Sequence, residues 1–398
     1  MSPQRLNDLI AKARSLPLPR ESSFTSRLRS PAVAARVGVW LGVCFVLAFI
    51  TGWLSHEAQD PNAWLALPTR PVWLYRATQG IHVLAGTAAI PLLLVKLWSV
   101  FPKLFASPPR RLRLVLIEIL ERGSVAVLVS SAIFQLTTGL LNAAAWYPWH
   151  FHFRGTHYAL AWICVGALLV HVAIKLPIIR DALAADIDSA LLDRDSIGGV
   201  PPLSRRTLTR SALLAAGVAV VATAGNTVPA LRRVSVFAVR SGEGPQGIPI
   251  NKTARAAGVV SLAQADDFAL GITYGGRELS LTRDDLLAFT QRTHALPIAC
   301  VEGWSAQGRW TGVRLRDLLD AVGAPRGRSV MVDSLQTEGP FRQTLLPAAF
   351  ADDDLTLLAL ALNGTELTLD HGYPCRLIAP NRPGVLQTKW VSRLEVLA

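Results

Sequence analysis

The sequence predicts a multi-domain fold: an all-α transmembrane helical bundle of about five spans, followed by a mixed α+β, mainly β, globular domain. Three observations carry that expectation. Of 398 residues, 51% are hydrophobic and 17% charged, with a mean hydropathy of +0.34. Such a chain is too apolar for a disordered protein or for a water-soluble enzyme of this length. The apolar excess is uneven, with long uncharged runs up to about Leu231 and ordinary globular composition beyond it. From about Val234 the periodicity also changes, to short alternating runs.

Residues 1–36 are basic and rich in Pro and Ser; they read as a cytoplasmic tail without a cleavable signal peptide. Crossing the hydrocarbon takes roughly 20 apolar residues, and runs of about that size fall near 37–54, 78–101, 124–146, 156–176 and 211–231. The fifth is the least hydrophobic and the richest in small residues. The expected organisation is a four-helix membrane domain over 37–180, a cytoplasmic linker over 181–210, the fifth span, and an extracytoplasmic domain over 232–398.

Orientation follows from the basic residues that flank the spans. The tail holds Arg5, Lys12, Arg14, Arg20, Arg27, Arg29 and Arg36; the second-to-third connection holds Lys96, Lys103, Arg110, Arg111, Arg113 and Arg122. The fourth-to-fifth connection holds Lys175, Arg180, Arg194, Arg205, Arg206 and Arg210, whereas the opposite loops hold Arg70, Arg76 and Arg154. Nineteen against three places the N-terminus inside and the C-terminal domain outside, in a multi-pass protein of the cell membrane. The net charge of +12 thus reports topology and contact with membrane lipid, and a nucleic-acid partner is not expected.

Histidine placement points to a metal. His82 opens the second span, His157 and His171 lie in the fourth, and His56, His150 and His152 fall in outer loops. Imidazole at membrane depth is a functional feature by default and is the usual axial ligand of an electron-transfer haem. His82 and His157 share the outer end of two spans running the same way, so they are the first choice for clamping one haem b. His82 with His171 is the alternative pair. His157 and His171 are 14 residues apart, about 21 Å along one helix face, a spacing suited to stacked haems, but Lys96 occupies the matching position beyond His82. These spans loosely resemble the four-helix membrane cytochrome b family.

Before the fifth span stands SRRTLTR, Ser204 to Arg210. It resembles the twin-arginine export motif, whose route carries domains already folded around a cofactor. The alternative is that Arg205 and Arg206 are positive-inside anchors.

In the external domain SVFAV, FALGITY, ELSLT, SVMVDSL and WVSRLEVL read as strands separated by turn residues. LTRDDLLAFTQ reads as a helix capped by Thr282 with Asp284 and Asp285 in its first turn, and RLRDLLDAVGA as a helix ending on Gly323. The chemical centre is PIACVEGWSAQGRW, Pro297 to Trp310, where Cys300 ends a strand before a polar turn. A thiolate there can ligate a soft metal; the bland alternative is a buried structural cysteine.

CVEGWS resembles the metal-binding segment of the sulfite oxidase-like molybdopterin oxidoreductases. The resemblance continues in order through PINKTA (249–254), GRELSLTRDDLLAF (276–289), TGVRLRDLLDAVG (311–323), VDSLQTEGPFR (332–342) and HGYPCRLIAPNRPGVLQTKWVSRLEV (371–396), over about 236–398. It implies that Cys300 supplies a thiolate to molybdenum, that His371 and Arg376 hold the pterin and its phosphate, and that Thr388 and Lys389 lie near the same anion. Guanidinium and ammonium groups suit such an anion. Asn251, Trp304 and Arg309 are further candidates for cofactor or substrate contact, and Asp333 is either near the metal or a turn cap. Two departures stand out. Cys375 replaces the family's usual aliphatic, either as a packing substitution or as a disulfide partner for Cys300. The dimerisation domain that follows in sulfite oxidases is not expected after Ala398, which weakens the expectation of a dimer and of sulfite as substrate.

Together these features imply a membrane-bound molybdopterin-dependent oxidoreductase. Oxygen-atom transfer at an external molybdenum centre would be coupled through haem b to a quinone/quinol pool. An S-oxide of the methionine sulfoxide type, small molecule or protein, is the leading substrate, with sulfite-like oxidation next. The competing readings are a non-catalytic membrane cytochrome b with a partner-binding external domain, and a haem-free anchored molybdoenzyme.

Overall fold

The computed structural model describes residues 19–60, 67–106, 112–190, 193, 203–238 and 244–397. Of the basic residues that set the expected topology, Arg5, Lys12, Arg14, Arg110, Arg111 and Arg194 lie outside the described residues. Among the described residues five helices are long and apolar enough to cross a membrane: α1 (Pro31–Gln59), α2 (Leu74–Val100), α3 (Leu112–Ala143), α4 (Phe153–Ala184) and α5 (Arg205–Ala224). This is the pattern of a multi-pass membrane protein. Leu169, Val170, Ile174 and Ile178 leave α4 apolar and exposed, a surface suited to lipid.

The helices outrun the apolar runs at most ends, because flanking polar residues continue the backbone ladder beyond the hydrocarbon length. His56, expected in a loop, stands on the last turn of α1 and stacks on Tyr158 with ring centroids 3.5 Å apart. The fifth helix begins earlier and ends earlier than its apolar run. Residues 225–231, read as membrane span, leave the helix instead. At Gly225 an added Cβ would come within 2.7 Å of the Ser235 side chain, and Pro229 cannot donate into a helical ladder.

The chain forms two compact units. One comprises Met1–Phe45, Ala88–Phe134 and Leu160–Ala219; the other comprises Val46–Thr87, Gln135–Ala159 and Val220–Ala398. In the first, Lys96 Nζ donates to the Ala34 carbonyl (2.7 Å), Arg36 to those of Ala182 and Ala185, and Lys175 pairs with Glu121. Arg205 is buried there, donating to the carbonyls of Arg27 (2.9 Å), Ile187 (3.2 Å) and Ser189 (2.8 Å).

The second unit contains ten strands: β1 (Ala269–Tyr274), β2 (Arg277–Thr282), β3 (Gln291–Ala299), β4 (Ser305–Arg314), β5 (Val330–Ser334), β6 (Gln343–Leu346), β7 (Leu357–Leu362), β8 (Thr365–Glu366), β9 (Arg376–Ile378) and β10 (Val391–Val396). One sheet runs β2-β1-β10-β5-β6; the other runs β3-β4-β7-β8 with β9 also on β7. The β1–β10 pair is parallel and its neighbours antiparallel. Leu270, Ile272, Val313, Leu318, Val332, Leu360 and Leu394 fill the main core, and truncating a buried leucine such as Leu318 to Ala would cost about 2–5 kcal/mol. Thr282 caps α6 (Arg283–Ala288) through a reciprocal box with Asp285, and α7 (Leu315–Ala321) stops before Gly323 at φ +77°. Residues 235–238 are not the strand their alternation suggests. Phe237 N–H bonds back to the Ala222 carbonyl at the end of α5, so the segment's donors are taken locally. Val239 lies outside the described residues.

Candidate functional site

A small cleft opens beside the end of β3, lined by Pro249, Ile250, Asn251, Ile298, Cys300, Trp304, His371, Arg376, Gly384 and Lys389. Cys300 follows β3 directly. Its N–H donates to the Trp304 carbonyl (2.9 Å) and its carbonyl accepts from Gly303 N–H (3.0 Å), closing a tight turn. Gly303 at φ +83° supplies the left-handed residue. Beside this turn Gly384 approaches so closely that a Cβ there would lie 2.8 Å from the Ala299 carbonyl oxygen. The Trp304 indole N–H donates to Glu302 (3.0 Å).

The opposite wall carries buried bases. His371 ends a short 3-10 turn, Arg376 begins β9, and Lys389 precedes β10; all three are buried. His371 Nε2 bonds the Pro245 carbonyl (2.7 Å). Burial and then the Arg376 charge push this imidazole down to about 4, so it is neutral. Arg376 donates to the His371 carbonyl (3.2 Å) and lies 5.2 Å from the Trp310 ring centroid, while its buried Nε has no hydrogen-bond partner. Burial lowers it to about 9. Lys389 Nζ donates to Asn251 Oδ1 (3.2 Å) and to the carbonyls of Lys252 (2.5 Å) and Asp370 (3.0 Å). Burial, then Arg376, pushes it down to about 7. Among the described residues neither cation makes an ion pair with a carboxylate. A wall with two desolvated cations and an unsatisfied guanidinium N–H is built for an anion.

Six of the sequence-derived residues therefore meet at one cleft: Cys300, Asn251, Trp304, His371, Arg376 and Lys389. Thr388 does not line it; buried behind, its hydroxyl pairs with Thr344 (2.8 Å). Arg309 is exposed on β4, because strand alternation turns its neighbour Trp310 inward and Arg309 outward. Asp333 neither reaches the cleft nor caps a turn; it lies within β5 and accepts from Gln343 (2.7 Å). Cys375 is buried in the main core, donates to the Val391 carbonyl (3.3 Å), and is pushed up to about 12 by burial. None of the four cysteines is in a disulfide, so the Cys300–Cys375 bridge does not form. The sequence reading missed Glu302 and the lining residues Pro249, Ile250, Ile298 and Gly384, although Gly384 stands in a turn-rich Arg-Pro-Gly run. It also missed Arg382, buried and spent on the carbonyls of Leu386 and Leu345.

In the same unit, in the first halves of α2 and α4, the rings of His82 and His157 lie with centroids 6.2 Å apart at 70°. His82 Nδ1 bonds the Ala48 carbonyl (2.8 Å) and His157 Nδ1 bonds Thr138 Oγ1 (2.9 Å). Gly52 makes room for the first ring, since a Cβ there would meet His82 Cε1 at 2.8 Å. His171 stands 14 residues further along α4, about 21 Å from His157 along the axis.

The family described as oxidoreductase molybdopterin binding domain matches residues 257–398. Sulfite oxidase of Arabidopsis thaliana is 35% identical over 24% of this chain and 29% of its own length. Mitochondrial sulfite oxidase of Rattus norvegicus is 29% identical over 31% of this chain and 27% of its own. A protein of Azospira oryzae named as a protein-methionine-sulfoxide reductase subunit, YedZ1, is 31% identical over 29% of this chain and 43% of its own. The crystal structure of the sulfane dehydrogenase SoxCD from Paracoccus pantotrophus aligns at 27% identity over 33% of this chain and 38% of that one, with a TM-score of 0.30. The chain thus spans less than half the length of these relatives. Its C-terminal part, residues 257–398, is a molybdopterin-binding oxidoreductase domain of the sulfite oxidase-like kind, carried behind five helices long and apolar enough to cross a membrane.

Proposed function

We propose that the whole chain is a membrane-bound redox enzyme in which the Cys300 cleft holds the molybdenum cofactor and the His82–His157 pair holds haem b. The observation that carries the reading is the cleft wall itself. Arg376 and Lys389 are buried without a carboxylate and stand across from a turn that presents a cysteine. A pterin phosphate would satisfy Arg376 Nε and the Lys389 ammonium, with Asn251 orienting Lys389 and neutral His371 offering a hydrogen bond rather than a charge. Thr388, outside the lining, would support this wall through Thr344. Cys300 would supply a thiolate to the metal, Trp304 would shield it from water, and oxygen-atom transfer is the chemistry supplied there when the cofactor is bound.

The histidine pair fits an iron. Two imidazole–metal bonds of about 2 Å each, plus about 1 Å from each nitrogen to its ring centre, span about 6 Å, against 6.2 Å between the centroids. Each Nδ1 is already engaged, which leaves each Nε2 for the metal, and the Ala48 carbonyl makes Nδ1 of His82 the protonated nitrogen. Quinol on the membrane side would supply electrons, and the N-terminal tail would be cytoplasmic with the 232–398 domain outside. SRRTLTR would serve export of the loaded domain. The substrate class we favour is an S-oxide, on the name of the Azospira oryzae relative; oxidation of a sulfite-like substrate ranks second.

Metal and pterin analysis of the purified full chain tests the cleft. Molybdenum near one per chain in the wild type, lost in Cys300→Ala and in Arg376→Leu, is the expected result; a wild type without molybdenum overturns the reading.

A further inference from the structure

Two consecutive carbonyls of the cysteine turn are each held by a side-chain amide from a different helix. Gln79 Nε2 on α2 donates to the Cys300 carbonyl at 3.4 Å, a long bond, and Asn142 Nδ2 on α3 donates to the Val301 carbonyl at 2.8 Å. Gln79 is buried. It stands three residues before His82, about 4.5 Å along the helix. Asn142 stands one turn beyond Thr138, the residue that holds His157 Nδ1. A third contact closes the same turn, since a Cβ on Gly303 would meet Val83, next to His82, at 2.7 Å. Gln79 is therefore one helical turn from His82, and Asn142 one helical turn from the residue that holds His157.

We propose that Gln79 and Asn142 are positioning residues that fix the cysteine turn on the histidine-bearing helices and so set the route for electrons between the two centres. The inference rests on the function proposed above for those centres. A quinol gives up two electrons and two protons and becomes a quinone. The route passes the electrons singly, and an S-oxide takes up both with two protons, breaking its S–O bond and leaving as sulfide and water. The amides neither bind substrate nor move protons; they hold two carbonyls, and their loss would break these hydrogen-bonded links between turn and helices.

The test uses the full chain with Gln79→Met, Asn142→Leu and the double variant, each deleting the donor with little change in volume. Amide hydrogen exchange at residues 300–304, with and without cofactors, should rise about three- to tenfold per amide removed. In single turnover of the chain reduced beforehand at both centres, oxidation of the haem by methionine sulfoxide should slow by about tenfold or more in the double variant, with molybdenum and haem contents unchanged. Asn142→Gln, which keeps a donor, should recover part of both effects. Exchange and haem oxidation at wild-type values in the double variant would overturn the proposal. If the wild type carries no haem or no molybdenum, the function above fails by itself, and exchange alone decides whether the clamp exists: unchanged exchange rejects it.

Discussion

The imidazole rings of His82 and His157 sit 6.2 Å apart, each with Nδ1 tied to the protein, one to the Ala48 carbonyl and the other to the Thr138 hydroxyl. Such anchoring leaves both Nε2 atoms available and costs little reorganisation when a metal enters. The reduced-minus-oxidised spectrum of the purified chain should therefore show a haem b that disappears in His82→Ala and in His157→Ala but survives His171→Ala. Gly52→Ala should perturb it as well, because the new methyl group would lie 2.8 Å from His82 Cε1 and push the ring aside. A spectrum that survives loss of His82 or His157 contradicts the ligand assignment.

Arg376 is a liability without its anion. Leaving a buried charge uncompensated costs about 3–5 kcal/mol, a cost that an apolar residue of similar size escapes. Thermal unfolding of the cofactor-free chain should show Arg376→Leu at or above the wild-type midpoint, while pterin content collapses. A variant that loses stability yet retains pterin would mean that Arg376 is structural.

The same wall makes the cofactor-free domain sensitive to pH. Folding lowers the affinity of His371, Lys389 and Arg376 for protons, so the unfolded chain binds more protons and stability rises with pH. For His371 the penalty grows as pH falls from about 6.5 towards about 4; for Lys389 it is relieved between about 7 and 10.5. Denaturant midpoints of the cofactor-free chain should accordingly rise from pH 7 to pH 10. Added inorganic phosphate should raise the midpoint more at pH 7, where Lys389 is still charged, than at pH 10. A flat or falling profile, with no phosphate effect, would contradict this electrostatic account.

The paired arginines before α5 differ in what they do. Arg205 is buried against three carbonyls, whereas Arg206 is exposed and pairs with Asp186 (2.8 Å) and Asp188 (3.2 Å). Exposed pairs contribute about 0–1 kcal/mol, so Arg206→Lys should leave the solubilised protein as stable as the wild type. If SRRTLTR is an export signal, that conservative change should still keep the C-terminal domain from external protease. Unchanged protease access together with unchanged stability would leave Arg206 a topology anchor and reject the export reading.

What could be read in the sequence was whatever one element decides alone. Uncharged runs revealed the five helices, the 282–285 box revealed a helix start, and alternation revealed β1, β5 and β10. The cleft was legible because CVEGWS and the 371–396 block each keep their own residue types. Features set by long-range packing were not legible. Asn226 and Thr227 look like the end of an apolar span, but their carbonyls accept from Ser305 N–H and hydroxyl, at the start of β4. SVFAV alternates like a strand yet is held by the end of α5. Arg309 and Arg376 are the same residue type, and only strand facing puts one in solvent and the other in the cleft. Gln79 carried no signal in the sequence, since an amide in an apolar run shows its purpose only when the Cys300 carbonyl is beside it.

The central claim is that one chain joins a molybdenum centre at Cys300 to a haem between His82 and His157. It is tested most directly by reducing the haem of the purified full chain with stoichiometric dithionite and mixing it with methionine sulfoxide under anaerobic conditions. The account predicts that haem absorbance returns to the oxidised form in the wild type and stays reduced in Cys300→Ala. Oxidation at equal rates in both proteins, or a haem whose redox state neither an S-oxide nor a sulfite-like substrate changes, would contradict it.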